Sequence, residues 1–309
     1  MDKLLIAVLL CACVAFTEEK EGREAVASPP ASVEITHKAE VYLDALQNLS
    51  GTDRTGSAYV REAELELDFV IPKAAKIHIV GLAEYDMSTP FLDEASLSFD
   101  IIKEKLQCTG GYFYMPFGVL NSSMISDLLI KGSVETPGPG IQLAGTVSNF
   151  SYGVSAYNSA LTQRLEASVI QMGYELAEKA KGAVSLRAEP AKNIDLDIEA
   201  EITPLSMLSI TGECYLGIAQ PDSVDKPMGF FVELGVTPLE PVTALARYEQ
   251  TSDGADSKTG YSKISLGAFY ALKKAVTVGA EFGMDKPTVA GVDEDWQNTL
   301  GLRLSVAME

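Results

Sequence analysis

Thr299-Leu300-Gly301-Leu302-Arg303-Leu304-Ser305-Val306-Ala307-Met308 alternates apolar and polar residues almost without error. Successive side chains of a strand point to opposite faces, so this stretch writes a β-strand with one apolar face and one polar face. The same alternation recurs from about residue 32 to the C-terminus, in strand-sized pieces broken by turn signals. About sixteen pieces can be read on period and punctuation, with 14–18 as the range. They lie near 32–43, 58–70, 75–85, 94–100, 107–115, 141–147, 150–157, 167–176, 182–189, 194–203, 207–216, 228–236, 242–250, 261–270, 275–284 and 298–308. An even number suits an all-β, antiparallel transmembrane β-barrel with both ends of the chain on one side. A two-sheet sandwich also alternates, but buries its apolar face as a core.

The connections favour the barrel. The even-numbered ones are short, such as Ile71-Pro72-Lys73-Ala74, Ser148-Asn149 and Leu272-Lys273-Lys274. The odd-numbered ones are mostly longer: 44–57, 86–93, 116–140, 217–227, 251–260 and 285–297. Short turns on one side and long loops on the other are the rhythm of outer-membrane barrels. The ninth connection, Pro190-Ala191-Lys192-Asn193, breaks the rhythm. Either that loop is trimmed or the strand count slips there.

The N-terminus carries a different signal. Lys3 precedes the apolar run Leu4–Ala15, which reads as a secretory signal over residues 1–16 with cleavage after Ala15. Lipidation at Cys13 is the alternative. Residues 17–31 are a polar, acidic linker, and 32–309 are the barrel. Cys108 and Cys214 then remain, too few for a disulfide framework, and they read as small apolar strand residues.

Two strands assign the faces. Ala63, Leu65, Leu67 and Phe69 alternate with Glu62, Glu64, Glu66 and Asp68. Ile194, Leu196, Ile198, Ala200 and Ile202 alternate with Asp195, Asp197, Glu199 and Glu201. Carboxylates in series cannot face hydrocarbon, so they face the lumen and the apolar residues face lipid. On the closing strand, Leu300, Leu302, Leu304 and Val306 then face lipid and Arg303 faces the lumen. An acidic wall concentrates cations, or merely keeps the bore wet. The net charge of −19 excludes nucleic acid as a partner. Serial carboxylates are not a matched acid and base, so no catalytic residue is read. His37 and His78 are the only histidines, leaving metal sites and Ser-His hydrolysis little to work with. No cofactor motif is present. The longest connection, 116–140, is the third long loop, and Asp127, Lys131 and Glu135 are candidates for narrowing the lumen if it folds inward.

The segments Phe91-Leu92-Asp93-Glu94-Ala95, Gly111-Tyr112-Phe113-Tyr114-Met115-Pro116-Phe117-Gly118, and Asn121 with Met124-Ile125-Ser126-Asp127 resemble the LbtU-type siderophore porins. Leu208–Tyr215 and Thr277–Phe282 resemble later strands of that family. Leu128 stands where the family pattern has proline after Asp127, and Met308-Glu309 stands where outer-membrane barrels usually end on an aromatic. The resemblance implies a barrel of about sixteen strands that takes up a ferric siderophore without an energised plug. An acidic lumen fits anionic ferric siderophores poorly.

The reading is therefore an outer-membrane channel of a Gram-negative-type bacterium. Its expected partners are outer-membrane lipid, small solutes or a ferric siderophore, and the outer-membrane assembly machinery. The sequence leaves open whether a homotrimer forms. The alternative is a non-transporting barrel, acting as an adhesin or structural protein through its loops.

Overall fold

A computed structural model describes residues 33–50, 56–72, 75–84, 90–103, 105–118, 122, 124–135, 137–159, 164–177, 179–190, 193–219, 226–253, 259–273, 275–289 and 291–308. The signal and linker expected over 1–31 lie outside the described residues. The strands run β1 Glu34–Asn48, β2 Gly56–Ile71, β3 Ala75–Glu84, β4 Phe91–Ile102, β5 Leu106–Tyr114, β6 Pro137–Val147, β7 Phe150–Asn158 and β8 Leu165–Leu176. They continue as β9 Ala180–Glu189, β10 Asn193–Leu205, β11 Leu208–Ala219, β12 Met228–Leu239, β13 Val242–Ser252, β14 Gly260–Lys273, β15 Val276–Val289, β16 Val292–Asp293 and β17 Gln297–Met308.

Each wall strand pairs antiparallel with its sequence neighbours, and β17 closes the sheet on β1 from Ala39↔Met308 to Asn48↔Thr299. The two-residue β16 only extends the end of β15, so the wall is a closed barrel of 16 strands. Closure leaves none of the sixteen wall strands as an open edge. Glu189↔Asn193 pair directly across the ninth connection, so that loop is trimmed and the strand count does not slip. Strand edges moved outward by a few residues: β6 begins at Pro137 where alternation begins near 141. Pro137 and Pro139 hide the strand start, because a strand-breaking residue at the beginning of a strand reads as loop.

The exterior is apolar. Leu65, Ile141, Val154, Met172, Val184, Ile198, Val232, Leu266 and Leu302 all stand exposed on the outer face. The buried polar residues, among them Asp44, Arg187, Asp195, Glu233, Arg247, Glu249 and Glu281, lie inside. This is the inverse of a soluble sandwich, and such a surface suits hydrocarbon. No helix of the described residues is long and apolar enough to cross a membrane, so crossing would fall to the strands. Cys108 and Cys214 are both free.

Of the register shifts in the sheet, two bulges bring extra side chains to the lumen beside β2–β4. The β1–β2 register passes from Tyr42↔Glu62 to Leu43↔Val60, so Arg61 is an extra residue, and Arg61 and Glu62 both line the lumen. The β3–β4 register passes from Val80↔Glu94 to Gly81↔Leu92, which brings Asp93 beside Glu94 on the lumen side. A bulge re-aims a side chain without breaking the sheet.

The two faces should differ sharply in tolerance. Leu302→Arg, mid-strand and outward, should cost about 2–4 kcal/mol when urea unfolding is followed in lipid bilayers, whereas Ser305→Arg, facing the lumen, should cost under about 1 kcal/mol. Equal losses at the two positions would invert the assignment of faces.

Candidate functional site

The third long connection leaves β5 and turns into the barrel. Residues 115–135 carry Met115, Phe117, Met124, Ile125, Leu128, Ile130 and Val134, and every one of these is buried. A loop this apolar is unstable against water, and the bore supplies its pocket. Phe113, Tyr157, Ala167, Val169, Tyr215 and Phe231, from β5, β7, β8, β11 and β12, form one cluster with Met115, Phe117, Leu128, Ile130 and Val134. Phe117 meets Tyr215 edge-on at 6.1 Å between centroids, and the Arg187 guanidinium lies 4.2 Å from the Phe117 ring centroid. Glycines on the lumen face make the seats. A Cβ on Gly267 would stand 2.8 Å from Met124 Sδ, and one on Gly301 3.3 Å from Ile125 Cγ2. One on Gly229 would stand 2.5 Å from Ile130 Cγ2. The loop ends in a single helical turn, α1, Lys131–Val134.

The other half of the loop is held by charge. Glu281 on β15 accepts from Ile125 N at 2.5 Å and Ser126 N at 3.0 Å, and also from the Ser126 hydroxyl. Glu249 on β13 accepts from Leu129 N at 2.7 Å, and Glu233 on β12 accepts from Ser122 Oγ at 2.6 Å. Arginines take the carbonyls. Arg247 donates to Ser126 O at 2.9 Å, Arg303 to Ile125 O at 2.9 Å, Arg187 to Ser133 O at 2.9 Å, and Arg61 to Ile125 O. These cations are also paired with wall carboxylates. Arg247 Nε lies 2.7 Å from Glu249, Arg187 contacts Asp195 at 2.9 Å, and Arg303 bonds both oxygens of Asp44 at 2.8 Å. The Arg303–Asp44 pair spans the β17–β1 seam that closes the barrel. Buried backbone groups of an irregular loop need partners, and these side chains supply them.

The loop therefore attaches from β5 round through β17 to Arg61 at the start of the β2–β5 sector. The rest of that sector stays open. There a cavity of about 440 Å³ is lined by Glu62, Glu64, Glu66, His78, Glu84, Asp93 and Glu94 on the wall and by Lys131 and Glu135 on the loop. A second cavity of about 570 Å³ adjoins it at the short-turn end, sharing Glu62, Lys131 and Glu135. A third, of about 510 Å³, lies towards the long loops and shares Arg61, Ser126 and Asp127 with the second. The Arg61–Asp127 ion pair thus stands between them.

Asp127, Lys131 and Glu135 sit together on the free face of the loop, with Lys131 Nζ 3.9 Å from Asp127 and 3.7 Å from Glu135. Burial pushes the Glu135 carboxyl above its ordinary range, against the pull of Lys131. The two acidic rows part company. Glu62, Glu64 and Glu66 line the open aisle, and Asp68 lies at its short-turn end, paired with Lys76 at 2.8 Å. Asp195 is spent on Arg187, and Asp197 is fully buried. Glu199 and Glu201 line a separate recess at the short-turn end, with Glu201 2.9 Å from Lys181. Sequence reasoning missed Glu84, Asp93 and Glu94 in the aisle and Arg61, Arg187, Arg247, Glu249 and Glu281 in the clamp. Arg61 had a signal: it falls on the apolar face of β2 by strict alternation, and a cation there marks a bulge.

No protein-family model matches the chain, and no curated protein does. Solved structures do. The outer membrane channel DcaP of Acinetobacter baumannii superposes with a TM-score of 0.73 at 14% identity, over 92% of this chain and 100% of that one. OmpT of Vibrio cholerae in its trimer form gives 0.70 at 10%, over 90% and 100%. An anion-selective porin from Comamonas acidovorans gives 0.69 at 9%, over 90% and 100%. At these identities the likeness is one of fold: a 16-strand porin-type barrel.

The docking of the loop can be checked directly. Gly229→Val fills the seat of Ile130, and Glu281→Ala strands two loop N–H groups at about 1–3 kcal/mol each. In either variant the folded barrel should become more open to trypsin at Lys131 than the parent chain, as read by fragment mass. Resistance in both variants would remove these contacts from the account.

Proposed function

We propose that this chain is an outer-membrane porin of a Gram-negative-type bacterium, a water-filled passage for small solutes that favours cations, and not an enzyme. One observation carries the preference. The wall arginines are committed to the loop and its paired carboxylates, so the open aisle is lined by Glu62, Glu64, Glu66, Glu84, Asp93, Glu94 and Glu135 with Lys131 as its lysine. A low-dielectric wall bearing one sign of charge focuses that potential and enriches counter-ions. The barrel itself does not set the sign, since the Comamonas structure of similar fold is described as anion-selective. Residues 1–16 would export the chain, 17–31 would be its linker, and the outer-membrane assembly machinery would insert it among lipid. A homotrimer is in keeping with the trimer form of the Vibrio barrel.

The resemblance to LbtU-type siderophore porins supports a second reading, passage of a ferric siderophore. Its most specific stretch, Gly111–Asp127, builds the root of the inward loop, so it speaks for a porin constriction more than for a ligand. An anionic ferric complex would meet repulsion along the aisle. An adhesin is disfavoured because the longest connection is spent inside the bore and the ninth is trimmed.

In planar bilayers with a salt gradient, the reversal potential should take the cation-favouring sign, and the triple variant E62Q/E64Q/E66Q should move it towards zero. Because Glu135 takes up its proton at a higher pH than an ordinary glutamate, the preference should start to fall earlier on acidification than an ordinary carboxylate would dictate. An anion-favouring potential in the parent protein would overturn the proposal. Removal of residues 122–135 should raise single-channel conductance several-fold, and an unchanged value would deny the loop its narrowing role.

A further inference from the structure

Outside the loop contacts, one cluster on the wall has chemistry that the porin reading does not use. Asp68 and His78 stand directly opposite one another in the β2–β3 register, and Glu66 is two residues along from Asp68 on the same face. His78 Nδ1 lies 2.8 Å from Asp68 Oδ1 and 3.7 Å from Glu66 Oε1. One donor atom from each of the three lies within 4.8 Å of the others. We infer that Glu66, Asp68 and His78 bind a divalent transition-metal ion of the Zn2+, Ni2+, Co2+ or Cu2+ class on the lumen wall.

Three features of the site carry the inference. The first is spacing. Ligand bonds of about 2.0–2.2 Å place donor atoms roughly 3–3.5 Å apart around one ion, and the two separations from His78, 2.8 and 3.7 Å, bracket that value. Small rotations about the side-chain bonds would close the set. The second is the donor set. One imidazole nitrogen with two carboxylate oxygens suits borderline metals, whereas Mg2+ and Ca2+ seek oxygen alone. The third is access. The side chains of His78, Glu66 and Asp68 are 23%, 28% and 16% exposed, and Glu66 and His78 line the 440 Å³ aisle, so an ion can reach them from water. Three ligands leave further coordination positions for water, which suits a site that loads and unloads.

Lys76 fits the same picture. Its ammonium lies 2.8 Å from Asp68 Oδ2, which leaves Oδ1 turned towards His78. It therefore orients the carboxylate from outside the donor set, as outer partners of metal ligands do. For the ion to bind, the imidazole proton must sit on Nε2, so that the Nδ1 lone pair faces the metal. Glu62 and Glu64, further along the aisle, would raise the cation concentration near the site.

Metal binding at this wall stands apart from conduction. The test is calorimetric titration of the full barrel, refolded in detergent micelles, with Ni2+ and separately with Mg2+. One Ni2+ should bind per barrel, at least about tenfold more tightly than Mg2+. His78→Gln and Glu66→Gln should each weaken Ni2+ by about tenfold or more. His37→Gln, at an exposed position elsewhere on β1, should not. Heat-modifiable gel migration shows which variants are folded, and Glu66→Gln carries the test if His78→Gln is not. Ni2+ binding no tighter than Mg2+, or unaltered in a folded His78→Gln or Glu66→Gln variant, would overturn the site. A barrel that binds Ni2+ but passes no current would overturn the channel instead.

Discussion

The structure depends on one constraint: an irregular loop lying inside a barrel must have its backbone polar groups satisfied by the wall. Glu281, Glu249, Arg247, Arg303, Arg61 and Arg187 do this, reaching inward from five strands. Their charges are costly to desolvate, and burying ion pairs in place of well-packed hydrophobes often gains no stability. What such pairs do impose is position. An apolar cluster tolerates sliding, whereas a carboxylate accepting two successive N–H groups, as Glu281 does from Ile125 and Ser126, fixes the chain at one register.

The electrostatics of the open space follow from that arrangement. Had the arginines been free, the lumen would carry mixed charge despite the net balance of the chain. With each arginine held between a loop carbonyl and a wall carboxylate, their fields are largely cancelled at short range. In the aisle, what remains uncancelled lies on β2, β3 and β4 and on the free face of the loop, and it is acidic. The two bulges sharpen this. They put Arg61 beside Glu62 and Asp93 beside Glu94 at the wall, so the first pair anchors the loop tip through Asp127 while the second adds charge to the aisle.

The wall was legible in the sequence because its signal is local. Alternation over ten residues decides which side chains meet lipid, as Thr299–Met308 shows, and the sixteen strands were all readable in that way. The clamp was not legible. Asp44, Arg303 and Glu281 are single polar residues in ordinary alternation and Ser126 is one loop serine, and only the folded barrel brings Asp44 to Arg303 and Ser126 to Glu281. The two acidic rows were alike as sequence, yet the loop passes over Asp195 and Asp197 and leaves Glu62 and Glu64 open. Nothing within either row distinguishes them. The difference is set by where Phe117 and Ile130 find their pocket, on β11, β12 and the strands beside them. The glycines that seat the loop were not legible either, because a missing side chain on a lumen face has no local signature.

These two anchorages together determine the shape of the passage. The apolar half of the loop is drawn to the β5–β12 side by the hydrophobic effect, which has no directional preference. The polar half is drawn across the bore to β13, β15, β17, β1 and the bulge of β2 by directional bonds. A chain of this length anchored at both places must cross the lumen, and it must leave its far side facing β2–β4. There the wall offers carboxylates but no seats among the described residues: a Cβ on Gly56 or Gly81 would meet the neighbouring strand and not the loop. The aisle is therefore the part of the lumen that neither kind of attraction fills.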